Sequence, residues 1–162
     1  MLIRKTIFSD IETVMQIYAE ARDFMRENGN PTQWKNPPPR VLIERDILAG
    51  KSYVCADENE TVIAVFYFNV EREPAYESID GEWLDNGESG VIHRIAKRRG
   101  APKGVGTFCI NWCLDRCGNI KIDTHENNAP MRKLLNNLGF VYCGIVRYDN
   151  GGERIAFQKI IK

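Results

Sequence analysis

The stretch that most constrains this chain is KRRGAPKGVGTF, residues 97–108, a basic, glycine-spaced loop between a strand pattern and a helix pattern. Before it, SGVIHRIAK reads as a strand; after it, VGTFCINWCLDRC at 105–117 sets Val105, Phe108, Cys109, Trp112 and Cys113 along one side of a helix. Gly104 and Gly106 let backbone amides approach a ligand with no Cβ in the way. Those amides open a helix, where the first N–H groups are unpaired and the dipole favours an anion. Lys97, Arg98, Arg99 and Lys103 add positive charge at the same place, which suits a phosphate-bearing cofactor. No GxxxxGK[ST] can be written here, and Cys109 stands where a dinucleotide GxGxxG needs its last glycine. The same residues also fit a solvated, charged loop with glycines for turning.

The flanking segments place this loop in a larger order. Residues 2–7 read as a first strand, and Ser9-Asp10-Ile11-Glu12 has capping-box spacing ahead of a helix ending near Gly29. The proline-rich NPTQWKNPPPR follows, then a short helix that stops at Gly50. SYVCADE and TVIAVFYFNV form an antiparallel hairpin. Beyond the loop and its helix come the strand NIKIDTH and the helix APMRKLLNNL, closed by Gly139. Two last strands, FVYCGIVRYD and ERIAFQKIIK, meet at Asn150-Gly151. The order β-α-α-β-β-β-α-β-α-β-β makes a mixed α/β sheet with helices on both faces.

A length of 162 residues suits one domain spanning 1–162. Lys plus Arg and Asp plus Glu are 22 each, so no global field steers the chain toward nucleic acid or an anionic membrane. No apolar run approaches bilayer length and the N-terminus carries charges where a signal peptide would be apolar. Five cysteines without a CxxC pair imply reduced thiols and a cytoplasmic setting. Cys109, Cys113 and Cys117 run along a helix stripe rather than converging, so core packing and no metal site are expected.

Taken together, Lys103-Gly104-Val105-Gly106 after a strand, Asn128-Ala129-Pro130-Met131 and the closing Leu138-Gly139-Phe140 resemble the GNAT N-acetyltransferase superfamily over nearly the whole chain. The Arg or Gln that opens the family's loop motif is Ala101 here, and the position of its usual acid tyrosine is Leu135. The resemblance implies a mostly antiparallel sheet in which one parallel strand pair splays to admit acetyl-CoA. It further implies pantetheine along Ile95, Ala96 and Lys97, and pyrophosphate on the amides of Lys103, Gly104, Val105, Gly106 and Thr107 beside Arg98. Asn128 would hold the pantetheine arm or the strand edge beside it, and Met131, three residues on, belongs to the same cofactor site. The activity implied is acetyl transfer to an amine, with a homodimer left open.

Such a transfer needs an amine stripped of a proton, and His93, on the cofactor strand, is the candidate base; a buried histidine bonded to a carboxylate is the rival reading. His125 is the second candidate. Tyr142 and Cys143 lie near the expected site as candidate acids. The acceptor pocket is expected from the front half, with Trp34, Tyr76 and Trp83 as lining, for a small-molecule amine. A peptide substrate or a non-catalytic acyl-CoA-binding module are the alternatives.

Overall fold

In the computed structural model, which describes residues 1–161, eight strands form one sheet flanked by four α-helices. In chain order these are β1 (Leu2–Lys5), α1 (Ile11–Glu27), α2 (Arg40–Leu48), β2 (Ser52–Ala56), β3 (Val62–Val70) and β4 (Asp80–Gly81). Then come β5 (Gly90–Lys97), α3 (Val105–Cys117), β6 (Asn119–Thr124), α4 (Ala129–Asn137), β7 (Val141–Arg147) and β8 (Glu153–Ile160). The strand order is β1-β2-β3-β5-β6-β8-β7-β4, antiparallel throughout except for the parallel pair β5–β6. Among the described residues no helix is long and apolar enough to cross a membrane.

Each face has its own core. Ile11, Val14, Ile17 and Tyr18 of α1 and Ile43 of α2 pack on Val54, Val65 and Ala96. The opposite face buries Cys109, Ile110 and Cys113 of α3 and Leu135 of α4 against Phe66, Ile92 and Ile122. Cys109 and Cys113 are fully buried, as the helix stripe predicts. Leu135 is also fully buried, so the side chain at the family's acid position is core.

Three local expectations are corrected. The first strand ends at Lys5 rather than residue 7, because the chain turns into a 3-10 segment, Phe8–Asp10. The Ser9–Glu12 capping box does not form. Asp10 takes the role instead, accepting from the Ile7 amide at 2.9 Å and from both Arg4 Nη atoms. The β7–β8 connection is not a two-residue turn: β7 stops at Arg147, and residues 148–152 form a wider loop with Gly151 at φ +83°.

β4 was not evident in the sequence, being two residues long. It pairs Asp80 with Ile145 and Gly81 with Gly144, and so fastens the segment 71–89 over the α1 side of the sheet. The backbones touch closely there. A Cβ on Gly144 would lie 2.3 Å from the Asp80 carbonyl oxygen, and Gly144 has φ +146°. Under the same segment Tyr76, Trp83, Val91, Cys143, Val146 and Ala156 form a third apolar cluster. Gly144→Ala is expected to destabilise the protein by about 2 kcal/mol or more, since backbone rather than a movable side chain blocks the new methyl. Urea unfolding measures it; an unchanged midpoint would show that the crossing has slack.

Candidate active site

The site is made by a defect in β5. Arg94 adopts a left-handed φ of +50°. His93 lies opposite Tyr67 and Ala96 opposite Val65, so β5 uses three steps where β3 uses two. This bulge bends and twists the strand. On its other edge β5 pairs with β6 only at Gly90–Ile120 and Val91–Lys121; beyond Val91 the ladder stops. The opening is a cleft of 540 Å³, walled by Ile92–Ile95 on one side and Ile122–Thr124 on the other, with Trp34 and Pro37–Pro39 above. This is the splayed parallel pair that the sequence led us to expect.

Two carboxylates face the cleft, each committed differently. Glu73 Oε1 lies 2.8 Å from His93 Nε2, and both side chains are 16% exposed. The bond from His93 holds the Glu73 carboxyl below its ordinary range, against the opposing effect of burial. With Glu73 ionised, a neutral His93 carries its proton on Nε2 and leaves Nδ1 as the basic atom. His93 is bonded to a carboxylate, as the rival reading has it, and it also lines the cleft.

Across the opening, Asp123 Oδ2 accepts from the Tyr76 hydroxyl at 2.7 Å and from the Tyr148 hydroxyl. Burial, then the Asp123 charge, pushes both phenols up, so they remain hydroxyl donors. Among the described residues nothing in the chain bonds Asp123 Oδ1.

The connection between α1 and α2 straps the cleft. Gln33 Oε1 accepts from Asn30 Nδ2 at 2.8 Å and from Asn128 Nδ2 at 3.0 Å. The Gln33 carbonyl accepts from Arg154 Nη2 at 3.1 Å, and Thr32 Oγ1 sits 3.0 Å from His125 Nε2. Burial and then Arg154 push the His125 imidazole down. His125 Nδ1 accepts from the Asn127 amide, so both ring nitrogens are engaged.

The structure brings His93, Ile95, Asn128, Met131 and Trp34 to the cleft wall. Trp34 also packs edge-on against Tyr18, at 5.6 Å between ring centroids. The Asn128 amide is engaged on both sides, capping α4 through the Met131 N–H at 3.3 Å and donating to Gln33. A cap at the start of a helix is the reason an Asn stands there. Ala96 turns its methyl into the α1 core, leaving only backbone to the opening. Lys97 is the last residue of β5, Arg98 and Lys103 belong to the loop ahead of α3, and Arg99 is diverted to Glu27 on α1. Gly104 caps α3 at φ +89° with no side-chain cap, and a Cβ there would meet nothing within 4 Å. The amides of Val105, Gly106 and Thr107 follow it as the first turn, with the Val105 side chain buried beneath.

Three expected positions are corrected. Tyr142 is 55% exposed on β7, edge-on to Phe157, and does not line the cleft. Trp83 is buried in the 71–89 segment, donating to the Tyr76 carbonyl at 3.0 Å beneath Lys121; it does not line this cleft but, like Tyr76, a second cavity of 600 Å³ between that segment and Val91 and Lys121. Tyr76 is likewise buried, and only its hydroxyl reaches the site, through Asp123. Sequence reasoning missed Glu73, Asp123, Tyr148 and Arg154. Asp123, a charge within the apolar strand NIKIDT, carried the one local signal available.

No protein-family model matches the chain, and no curated relative does. Solved structures do. A GNAT-family acetyltransferase from Streptococcus agalactiae is similar over 99% of this chain and 95% of its own, with 31% identity and a TM-score of 0.90. An acetyltransferase structure from Staphylococcus aureus covers 100% of both chains at 24% identity and 0.73. A phosphinothricin acetyltransferase from Sinorhizobium meliloti, in complex with acetyl-CoA, matches 99% of this chain and 88% of its own at 17% identity and 0.67.

The lowered Glu73 gives a pH test. Its contribution to stability is full above the ordinary glutamate value of about 4.3 and is lost as pH falls through the lowered folded value. Glu73→Gln should therefore flatten the acid limb of stability against pH, read by thermal melts from neutral to acid. An unchanged limb would mean that the pair contributes nothing.

Proposed function

Since the chain belongs to the GNAT acetyltransferase family, we propose that residues 1–162 form one N-acetyltransferase domain that moves an acetyl group from acetyl-CoA to a primary amine of a small molecule. The observation that carries the reading is the His93–Glu73 pair at the wall of a cleft opened by the β5 bulge.

The residues present fit acetyl-CoA. The uncapped first turn of α3, opened by Gly104 with free space before it, suits a pyrophosphate, and Arg98 and Lys103 supply charge that no acidic side chain claims among the described residues. The unladdered edge of β5 at Ile95 to Lys97 suits the amides of a pantetheine arm, which would join the sheet as an added strand. With Asn128 spent on its cap and on Gln33, its part is to fix the cleft edge rather than to bind the arm.

When bound, acetyl-CoA supplies an activated thioester carbonyl at the opening. His93 Nδ1 takes the proton of the acceptor ammonium, and Glu73 steadies the imidazolium that results. The freed amine nitrogen would bond to the thioester's carbonyl carbon, the carbon–sulfur bond would break with its electron pair leaving on sulfur, and the second proton of the nitrogen would pass to solvent. The backbone N–H of Ile95 or Ala96, beside the bulge, is the candidate donor for the carbonyl oxygen. Leu135 is buried and Tyr142 lies outside the cleft, so neither serves as the acid, and this reading leaves protonation of the departing thiolate to solvent. The strap through Gln33 favours a small acceptor over a peptide laid along an open groove.

Acetyl-CoA at a hundred times its dissociation constant should stabilise the protein by about 2.7 kcal/mol, and Gly104→Val should abolish the shift by filling the space before α3. No shift at millimolar acetyl-CoA in the unmutated protein would overturn the cofactor assignment. His93→Ala should lower the rate by about a hundredfold or more with the acetyl-CoA shift intact. Tyr142→Phe should leave thiol release unchanged, and a loss comparable to that of His93→Ala would restore it as an acid.

A further inference from the structure

We infer that the acceptor is a primary amine that also carries an anionic group, a carboxylate in the first instance, with Asp123 seating the ammonium and Arg154 the anion. This rests on the acetyltransferase reading and adds the substrate class.

The sheet register puts the parts on one face. Val91 pairs with Lys121 in parallel, so two residues on, His93 stands level with Asp123 across the opening. Asp123 lies directly opposite Ala156 of β8, and Arg154, two residues from Ala156, points to the same face. Ala156 and Val146, the strand partner of Arg154, both belong to the cluster on that face. Asp123 and Arg154 are thus diagonal neighbours, about 7–8 Å apart at their Cα atoms. That span suits one small molecule with an ammonium at one end and an anion at the other, its nitrogen beside His93.

The charges agree. Asp123 has one oxygen held by two tyrosyl hydroxyls and the other free of the chain, a fixed carboxylate with one position left for a donor. Arg154 lines the cleft, and its Nη1 and Nη2 donate only to the carbonyls of Glu153 and Gln33. Among the described residues no carboxylate pairs with it. The other guanidinium in the cleft, Arg94, is already neutralised by Asp46. Glu73 is likewise matched to His93. The charges left over are one negative and one positive, side by side, which favours a zwitterion over a polyamine or a neutral amine.

The test uses the full chain and a panel of common amino acids, their amides and the corresponding decarboxylated amines, with O-phosphoethanolamine to separate phosphate from carboxylate. Thiol release should favour at least one acid over its own amide by tenfold or more in kcat/KM, the effect expected of one charge-assisted contact. Arg154→Gln should raise KM for the acid to that of the amide with kcat held, and Arg154→Lys should recover part of the preference. Arg154→Glu should turn the preference toward diamines, which loosening of the strap alone would not do. Calorimetric titration of acid and amide into CoA-saturated protein should show the same discrimination, and this arm stands even if no amine is turned over. Equal use and equal binding of acids and amides, or putrescine preferred by the unmutated protein, would overturn the inference while leaving the acetyl-CoA shift intact. A preference for O-phosphoethanolamine over every amino acid would replace carboxylate by phosphate and overturn the first assignment.

Discussion

Everything in this site depends on one residue's backbone. Arg94 at φ +50° adds a step to β5 that β3 lacks, and the strand leaves β6 after only two paired positions. A non-glycine residue in that region costs free energy of order 1–3 kcal/mol, and it persists where the surroundings hold it. Here they do: the Arg94 guanidinium is bonded to Asp46 on α2 and lies over the Tyr67 ring. The helix-bearing front half of the chain thus holds open a gap between two strands of its second half. His93, just before the bulge, keeps the facing of Val91, while Ile95 and Ala96 beyond it are shifted by one.

The second constraint is the segment 71–89, which brings Glu73 and Tyr76 over that gap. It has little regular structure, and its position comes from β4 crossing β7 at two glycines, from Trp83 on the Tyr76 carbonyl, and from the Leu84 amide on Gln158. Gln158 is fully buried and also bonds Asn119 and Asp85, so a loop is tied to the strand ladder by side-chain amides. That arrangement leaves Glu73 free to face His93 rather than water.

The legibility of these features from sequence followed their range. Strands and helices with a clear period, such as α3 over Val105–Cys117 and the Gly139 cap, were readable because neighbouring residues determine them. The Gly104 loop was readable for the same reason. Ser9 was misread because Asp10, one residue on, had Arg4 and the Ile7 amide within reach. Glu73 left no local signal and Asp123 only that of a charge in an apolar strand, because their partners lie 20 and 47 residues away, at His93 and Tyr76, and no local pattern records such pairings. Tyr148 was hidden inside an expected strand, whereas β7 ends one residue earlier and frees its ring to reach Asp123. Tyr142 looked suitable by nearness in sequence, but strand alternation and its place on β7 send it to solvent.

A gap between two strands, unlike a pocket on a surface, has two mouths. One side lies under the Gln33 strap, among Glu73, Asp123 and Arg154; the other is lined by Ile95, Asn128 and Met131. In the proposed reaction the two reactants would come from opposite sides of the sheet and meet between the strands.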